Sequence, residues 1–156
     1  GYQNIAFISG PEEDTTASLK RAKGYKQALT DNGLQFNSDL LVNGDFTLKS
    51  GYQGIEEILE QTSNLDAVFA ANDEMAVGAM RQIREQGYSI PDDIAVAGFD
   101  NISLVDYVEP RLTTVVQPVY ELGQAGINAL LKLIQGKELE DDNIVLDYDI
   151  VVREST

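Results

Sequence analysis

Apolar and polar positions follow two rhythms along the chain. Ile5–Ser9 is a short apolar run that predicts a strand. After the polar loop Gly10–Thr16, Ala22, Tyr25, Ala28 and Leu29 recur at helical spacing and predict a helix over Ser18–Asn32, closed by Gly33. Leu40–Val42 predicts the next strand, with the turn Asn43-Gly44-Asp45 after it. Leu48, Tyr52, Ile55 and Leu59 mark one face of a helix over Leu48–Gln61. Ala67–Ala71 is continuously apolar, as expected of a strand covered on both faces. A helix over Asp73–Gln86 turns Met75, Ala79, Met80 and Ile83 inward and stops at Gly87, and Pro91-Asp92-Asp93 leads into a strand at Ile94–Gly98.

The rhythm then changes. Asn101–Val108 predicts a short helical segment, Leu112–Val116 is extended, and a long helix over Val119–Gln135 starts after Pro118 and stops before Gly136. Val119, Leu122, Gly126, Ala129, Leu130 and Leu133 form its apolar stripe, widened by Ile127, Leu131 and Ile134. An acidic connector over Lys137–Asn143 precedes a β-rich tail, Ile144–Arg153. The repeated strand–helix order predicts an α/β fold: a three-layer, doubly wound, mostly parallel sheet with helices on both faces and right-handed crossovers.

Composition narrows the function. The 156 residues suffice for one domain with a core, and the formal net charge of −15 argues against this segment gripping nucleic acid itself. With no cysteine and no histidine, a disulfide framework, a thiolate metal site and a Ser-His-Asp triad are all excluded. No apolar run is long enough to span a bilayer. The sequence opens without Met and almost directly on a strand, so a piece of a longer protein is expected.

The candidate chemistry lies where apolar runs stop at polar side chains, because open parallel sheets bind ligands at the carboxyl ends of their strands. Asn72 follows a strand and opens a helix, so it reads as an N-cap, a ligand hydrogen-bonder, or both. Asp100 ends a strand in Gly98-Phe99-Asp100-Asn101 and could cap the next segment or accept from two hydroxyl or base donors. Arg21 is early in a helix that starts at the same edge, where a solvated charge is the plain alternative. Phe46 is either core or an aromatic platform for a ring. Asp45, Asp73 and Asp100 near strand ends raise the prospect of Mg²⁺. Yet the first strand ends Phe7-Ile8-Ser9-Gly10-Pro11 with no carboxylate, and neither G-x-G-x-x-G nor a P-loop is present, so catalysis and a metal are not expected.

These segments, in order, resemble the LacI/GalR family over all 156 residues. The resemblance rests on Gly1-Tyr2-x-x-Ile5-Ala6-Phe7-Ile8, Arg21-x-x-Gly24-Tyr25-x-x-Ala28-Leu29, Gly44-Asp45-Phe46, Asn72-Asp73-x-Met75-Ala76-x-Gly78, Pro91-x-Asp93-Ile94, Gly98-Phe99-Asp100 and Leu112-Thr113-Thr114-Val115-x-Gln117-Pro118. It implies the carboxyl-side part of a two-lobed, periplasmic-binding-protein-like core that closes on a small effector, a sugar or nucleoside. Residues 1–116 and 144–156 would form one lobe, while 117–136 would cross over and pack on a lobe these residues do not contain. The implied effector contacts are Arg21, Phe46, Asn72 and Asp100, with Gln117 near the crossover. A homodimer contact would involve Met75, Val77, Ile102, Leu104 and Tyr107. Operator DNA would be bound only through an amino-terminal helix-turn-helix outside these residues. The resemblance implies a cytoplasmic repressor with no cofactor and no membrane partner. Thr114–Tyr120 and Val151–Thr156 look most like catabolite-control regulators, which work through a phosphoprotein corepressor, whereas Arg21 favours a sugar-responsive repressor. A periplasmic sugar-binding protein of the same two-lobed type is the alternative.

Overall fold

The apolar runs pair into one sheet. In the computed structural model, which describes residues 1–139, 141 and 143–156, the strands are Ile5–Ser9 (β1), Leu41–Asn43 (β2), Ala67–Ala70 (β3), Ala95–Phe99 (β4), Thr113–Val116 (β5) and Asp149–Val151 (β6). Their order is β2-β1-β3-β4-β5-β6; the first five are parallel and β6 runs antiparallel to β5. Helices Ala17–Asp31 (α1), Leu48–Gln61 (α2) and Asp73–Glu85 (α3) make the parallel crossovers, and Val119–Ile134 (α4) follows β5. This is the doubly wound α/β architecture that the alternation predicts.

Successive strand residues face opposite layers. The Phe7 ring stacks on Tyr25 of α1 at 5.1 Å between centroids and tilts against Phe69 at 5.4 Å. The Tyr25 hydroxyl donates to the Ile5 carbonyl at 2.7 Å, and burial pushes its pKa up to about 12. Its neighbour Ile8 points to the other layer, where α2 and α3 lie against each other and against the sheet. Asp14 opens α1 by accepting from the amides of Thr16, Ala17 and Ser18 and from both hydroxyls, and these bonds hold its carboxyl well below the usual range.

Two expectations need correction. In α2 the buried positions are Gly51, Gly54, Ile55 and Ile58, while Leu48 is exposed. The reason is close backbone approach: a Cβ on Gly51 would lie 2.0 Å from the Met75 carbonyl oxygen, and one on Gly78 would lie 1.9 Å from that of Leu48. In the tail only Asp149–Val151 pairs, against Thr114–Val116. Further on the chain turns inward, and Ser155 wedges between β4 and β5: its hydroxyl donates to the Val96 carbonyl at 2.6 Å and accepts from the Thr113 amide at 2.8 Å. The segment after β4 is a 3₁₀ turn at Ser103–Asp106. Of the acidic connector expected over Lys137–Asn143, Glu140 and Asp142 lie outside the described residues. Every residue of α4 keeps exposed surface; Val119, Ile127, Leu133 and Ile134 are each more than half exposed.

One buried carboxylate ties the strand ends together. Asp73, at the start of α3, is 0% exposed. Its Oδ1 accepts from the Thr114 hydroxyl of β5 at 2.5 Å, and its Oδ2 from the Ile102 amide at 2.9 Å. Burial pushes its pKa up to about 6, against the lowering effect of those two bonds.

Two predictions follow from this packing. Gly78→Ala, which gains helix propensity, still loses roughly 2 kcal/mol of stability because the new methyl meets backbone; chemical denaturation measures it, and a neutral result would refute the close approach. For Asp73 the folded pKa lies above the model-peptide value of 3.8, so the folded state holds the proton more tightly. Its contribution to stability is therefore complete at low pH and is lost as pH rises through about 4 to 6. Asp73→Asn, whose oxygen can accept from the Ile102 amide while its Nδ2 donates to the Thr114 hydroxyl, should gain up to about 3 kcal/mol relative to wild type between pH 4 and pH 7.5. Parallel urea-unfolding profiles for the two proteins at the two pH values would exclude a buried, raised carboxyl.

Candidate functional site

The strand order reverses beside β1: the chain goes from β1 outward to β2 on one side and returns to β3 on the other. Such a reversal opens a crevice at the carboxyl ends of the strands. Four residues predicted from the sequence follow β2, β3, β4 and β5, namely Phe46, Asn72, Asp100 and Gln117, and Arg21 reaches in from α1 after β1.

Arg21, Asp100 and Gln117 form one polar group. The Arg21 guanidinium donates to the Ala71 carbonyl at 2.5 Å, stands 3.6 Å from Asp100 Oδ1, and lies over the Phe99 ring at 3.9 Å from its centroid. The side chain is 18% exposed, so this is an anchored cation rather than a solvated helix charge. Gln117 Nε2 donates to the same Asp100 Oδ1. Asp100 is 30% exposed, and its Oδ2 takes no hydrogen bond among the described residues.

Asn72 and Phe46 form the second group. The Asn72 side chain caps α3, Oδ1 accepting from the Met75 amide at 2.9 Å, while Nδ2 donates to the Phe46 carbonyl at 2.9 Å. An amide used this way still has one N–H and one lone pair to offer. Phe46 has φ of 66°, held by that bond on one side and on the other by the turn in which Asp45 accepts from the Thr47 amide and hydroxyl. Its ring lies on Gly10, where a Cβ would come within 2.2 Å of Cζ; only glycine leaves room for it. The ring is half-buried at the core margin.

The residues expected at a contact between copies separate. Val77, Ile102 and Leu104 are half-buried and Tyr107 is 86% exposed. Met75 is 0% exposed beneath Gly51 of α2, so it is core and can offer no surface. That correction arises because helical spacing marks an apolar face without saying what covers it.

Three contributors escape the sequence reading. Phe99 supports Arg21, Asp73 holds the amide after the Asp100 turn, and Arg153 of the tail bonds Asn101 at 2.9 Å. Helical spacing did carry one signal: Asp73, Ala76, Met80 and Ile83 share one face, which puts a carboxylate on an apolar stripe. Asp45, Asp73 and Asp100 point to different partners, and among the described residues no three such side chains stand close enough to hold a metal ion. Chemically, the edge offers a cation with donors in a fixed fork, a carboxylate acceptor, an amide and an aromatic face. Such a set suits a ligand rich in hydroxyls on a ring.

Residues 1–156 match the periplasmic binding protein-like domain family throughout. The chain is 38% identical to catabolite control protein A of Priestia megaterium and 36% identical to the transcriptional repressor CytR of Escherichia coli, over its whole length and over 47% and 46% of theirs. Among solved structures it is similar to the transcriptional regulator CelR in complex with cellobiose, at a TM-score of 0.94 and 37% identity, covering all of this chain and 47% of that one. It is also similar to the lac repressor dimer bound to operator and an anti-inducer, at 0.92 and 34%, covering all of this chain and 53% of that one. The chain thus spans about half the length of the relatives it matches. On this family match, the chain belongs to the periplasmic binding protein-like domain family, and it is similar throughout to part of LacI-type transcriptional regulators.

Proposed function

We propose that this chain forms one lip of an effector cleft in a LacI-type repressor, with Arg21, Phe46, Asn72 and Asp100 contacting a sugar or nucleoside and Gln117 at the crossing to a second lobe. The observation that carries this reading is the Arg21–Asp100 pair at the switch point of the sheet, with its cation anchored and one carboxylate oxygen open to the cleft. The cellobiose complex of a neighbour 37% identical supports a sugar as the ligand class. Cleft closure alters operator binding by a helix-turn-helix elsewhere in the full-length protein, which works in the cytoplasm and catalyses no reaction. The exposed apolar stripe of α4 packs on the second lobe; exposed apolar surface of that extent implies a cover. Similarity to catabolite control protein A supports a second reading, in which a phosphoprotein corepressor also binds; a pull-down with a phosphorylated carrier protein tests it.

The dimer contact lies on the exposed side of α2 and α3 and on the 3₁₀ turn after β4, where Leu48, Tyr52, Val77 and Arg81 line a groove of about 580 Å³ beside Gly78. The similar lac repressor, solved as a dimer, supports a homodimer. Isologous pairing would bury the exposed Tyr107 ring.

Two measurements on the full-length protein check these readings. A thermal-shift panel of glucose, ribose, cellobiose, adenosine and cytidine should identify a binder. Arg21→Ala should then weaken that binder by about 10- to 100-fold, the loss of charge-assisted hydrogen bonds worth about 1.5–3 kcal/mol. Unchanged affinity would overturn the assignment of Arg21. Tyr107→Glu should convert a dimer to monomer in light scattering without lowering the melting temperature; a dimer that persists would move the contact elsewhere.

A further inference from the structure

Asp100 and Asn101 have φ of 108° and 53°. Residues other than glycine keep that left-handed backbone only where neighbours over-determine it. Three main-chain amides are held: Asp100 donates to the Val115 carbonyl at 2.9 Å, Asn101 to the Thr114 hydroxyl at 3.3 Å, and Ile102 to Asp73 at 2.9 Å. Among the described residues one hydrogen bond grips an Asn101 side-chain atom: its Oδ1 accepts from Arg153 Nη2 at 2.9 Å.

Arg153 lies two residues beyond β6, and its side chain is 11% exposed. Its guanidinium spans three segments. Nη1 donates to the Leu112 carbonyl at 2.8 Å, and Nη2 reaches both Asn101 and, at 3.0 Å, Asp106 of the 3₁₀ turn. Its own amide donates to the Thr113 hydroxyl at 2.8 Å. A rigid planar fork with five donors can serve these acceptors at once, which a lysine ammonium cannot do with the same geometry. The carboxylate of Asp106 balances the charge, so this nearly buried cation is not left uncompensated. Arg153 makes no hydrogen bond to Arg21, Phe46, Asn72, Asp100 or Gln117.

We propose that Arg153 is a positioning residue for the cleft: by holding Asn101 it fixes the left-handed turn that aims Asp100. Effector affinity then depends on the docking of the tail beyond β6, although no tail residue touches the effector. The proposal rests on the effector-cleft reading above. It also joins two surfaces, because the same nitrogen bonds the cleft turn and Asp106, one residue before the exposed Tyr107.

The test is hydrogen exchange on the full-length protein carrying Arg153→Met, alone and with Asn101→Gly, since glycine adopts this backbone without help. Arg153→Met should speed exchange of the amides of residues 100, 101 and 102 by about tenfold or more, as one charge-assisted bond is lost. The Ala71 amide, bonded to the Ile8 carbonyl, should keep its rate. The variant should also weaken the panel compound that raises the melting temperature most by about tenfold. In the Asn101→Gly background the same change should alter that affinity less than about twofold, the non-additivity expected of residues acting through one contact. Unchanged exchange at 100–102, or equal acceleration of Ala71, would overturn the proposal. A panel in which nothing binds would overturn the effector reading instead, with exchange still deciding the role of Arg153.

Discussion

Parallel strand pairing is the constraint on which the cleft depends. The ladder aligns Ser9 with Asn43, Ile8 with Ala70, Phe69 with Ala97 and Phe99 with Val115. Each strand therefore ends beside its neighbour, and the residues that follow arrive at one edge. That alignment lets Arg21, more than ten residues beyond β1, reach the carbonyl of Ala71 and the carboxylate of Asp100 together. Because side chains alternate faces, a one-residue slip of β1 against its neighbours would set Phe7 and Ile8 toward the wrong layers and carry the polar ends out of line.

The two layers are built differently. One holds α1 through aromatic contact, with Phe7 against Tyr25 and Phe69. The other seats α3 on α2 at backbone distance through Gly51 and Gly78, so both helices are packed closely behind the strand ends that they cap. Close approach of main chains leaves little freedom for the Asn72 cap to shift. α4 takes part in neither layer. Its apolar stripe is exposed.

Beneath the cleft the molecule carries buried polar groups that an apolar core would avoid. Asp73 gives up solvation to bind Thr114 and the Ile102 amide, and Arg153 does so to bind Asn101, Leu112 and Asp106. Buried charges of this kind contribute little net stability but fix one arrangement of the chain. Here the arrangement fixed is the turn carrying Asp100. The two groups are far apart in the sequence and hold consecutive residues of one turn, Ile102 and Asn101, with Arg153 brought there by the tail that follows the β6–β5 pairing.

The sequence by itself was enough for the strand–helix order, the sheet type and four strand-end residues, because periodicity and the punctuation of Gly, Pro and Asn act within a few residues. It also carried the Asn72 cap, a local bond to an amide three residues on. It could not decide which faces were covered. Met75 and Val77 stand two apart on one helix, yet one is core and the other half-exposed, since glycines distant in sequence let α2 approach. Nor could it show that Arg21 is anchored, that Asp73 is buried, or that Arg153 reaches the cleft. Those contacts join residues as far apart in the chain as Arg21 and Asp100, and only the tertiary structure closes such distances, through the register of strands that no local pattern encodes.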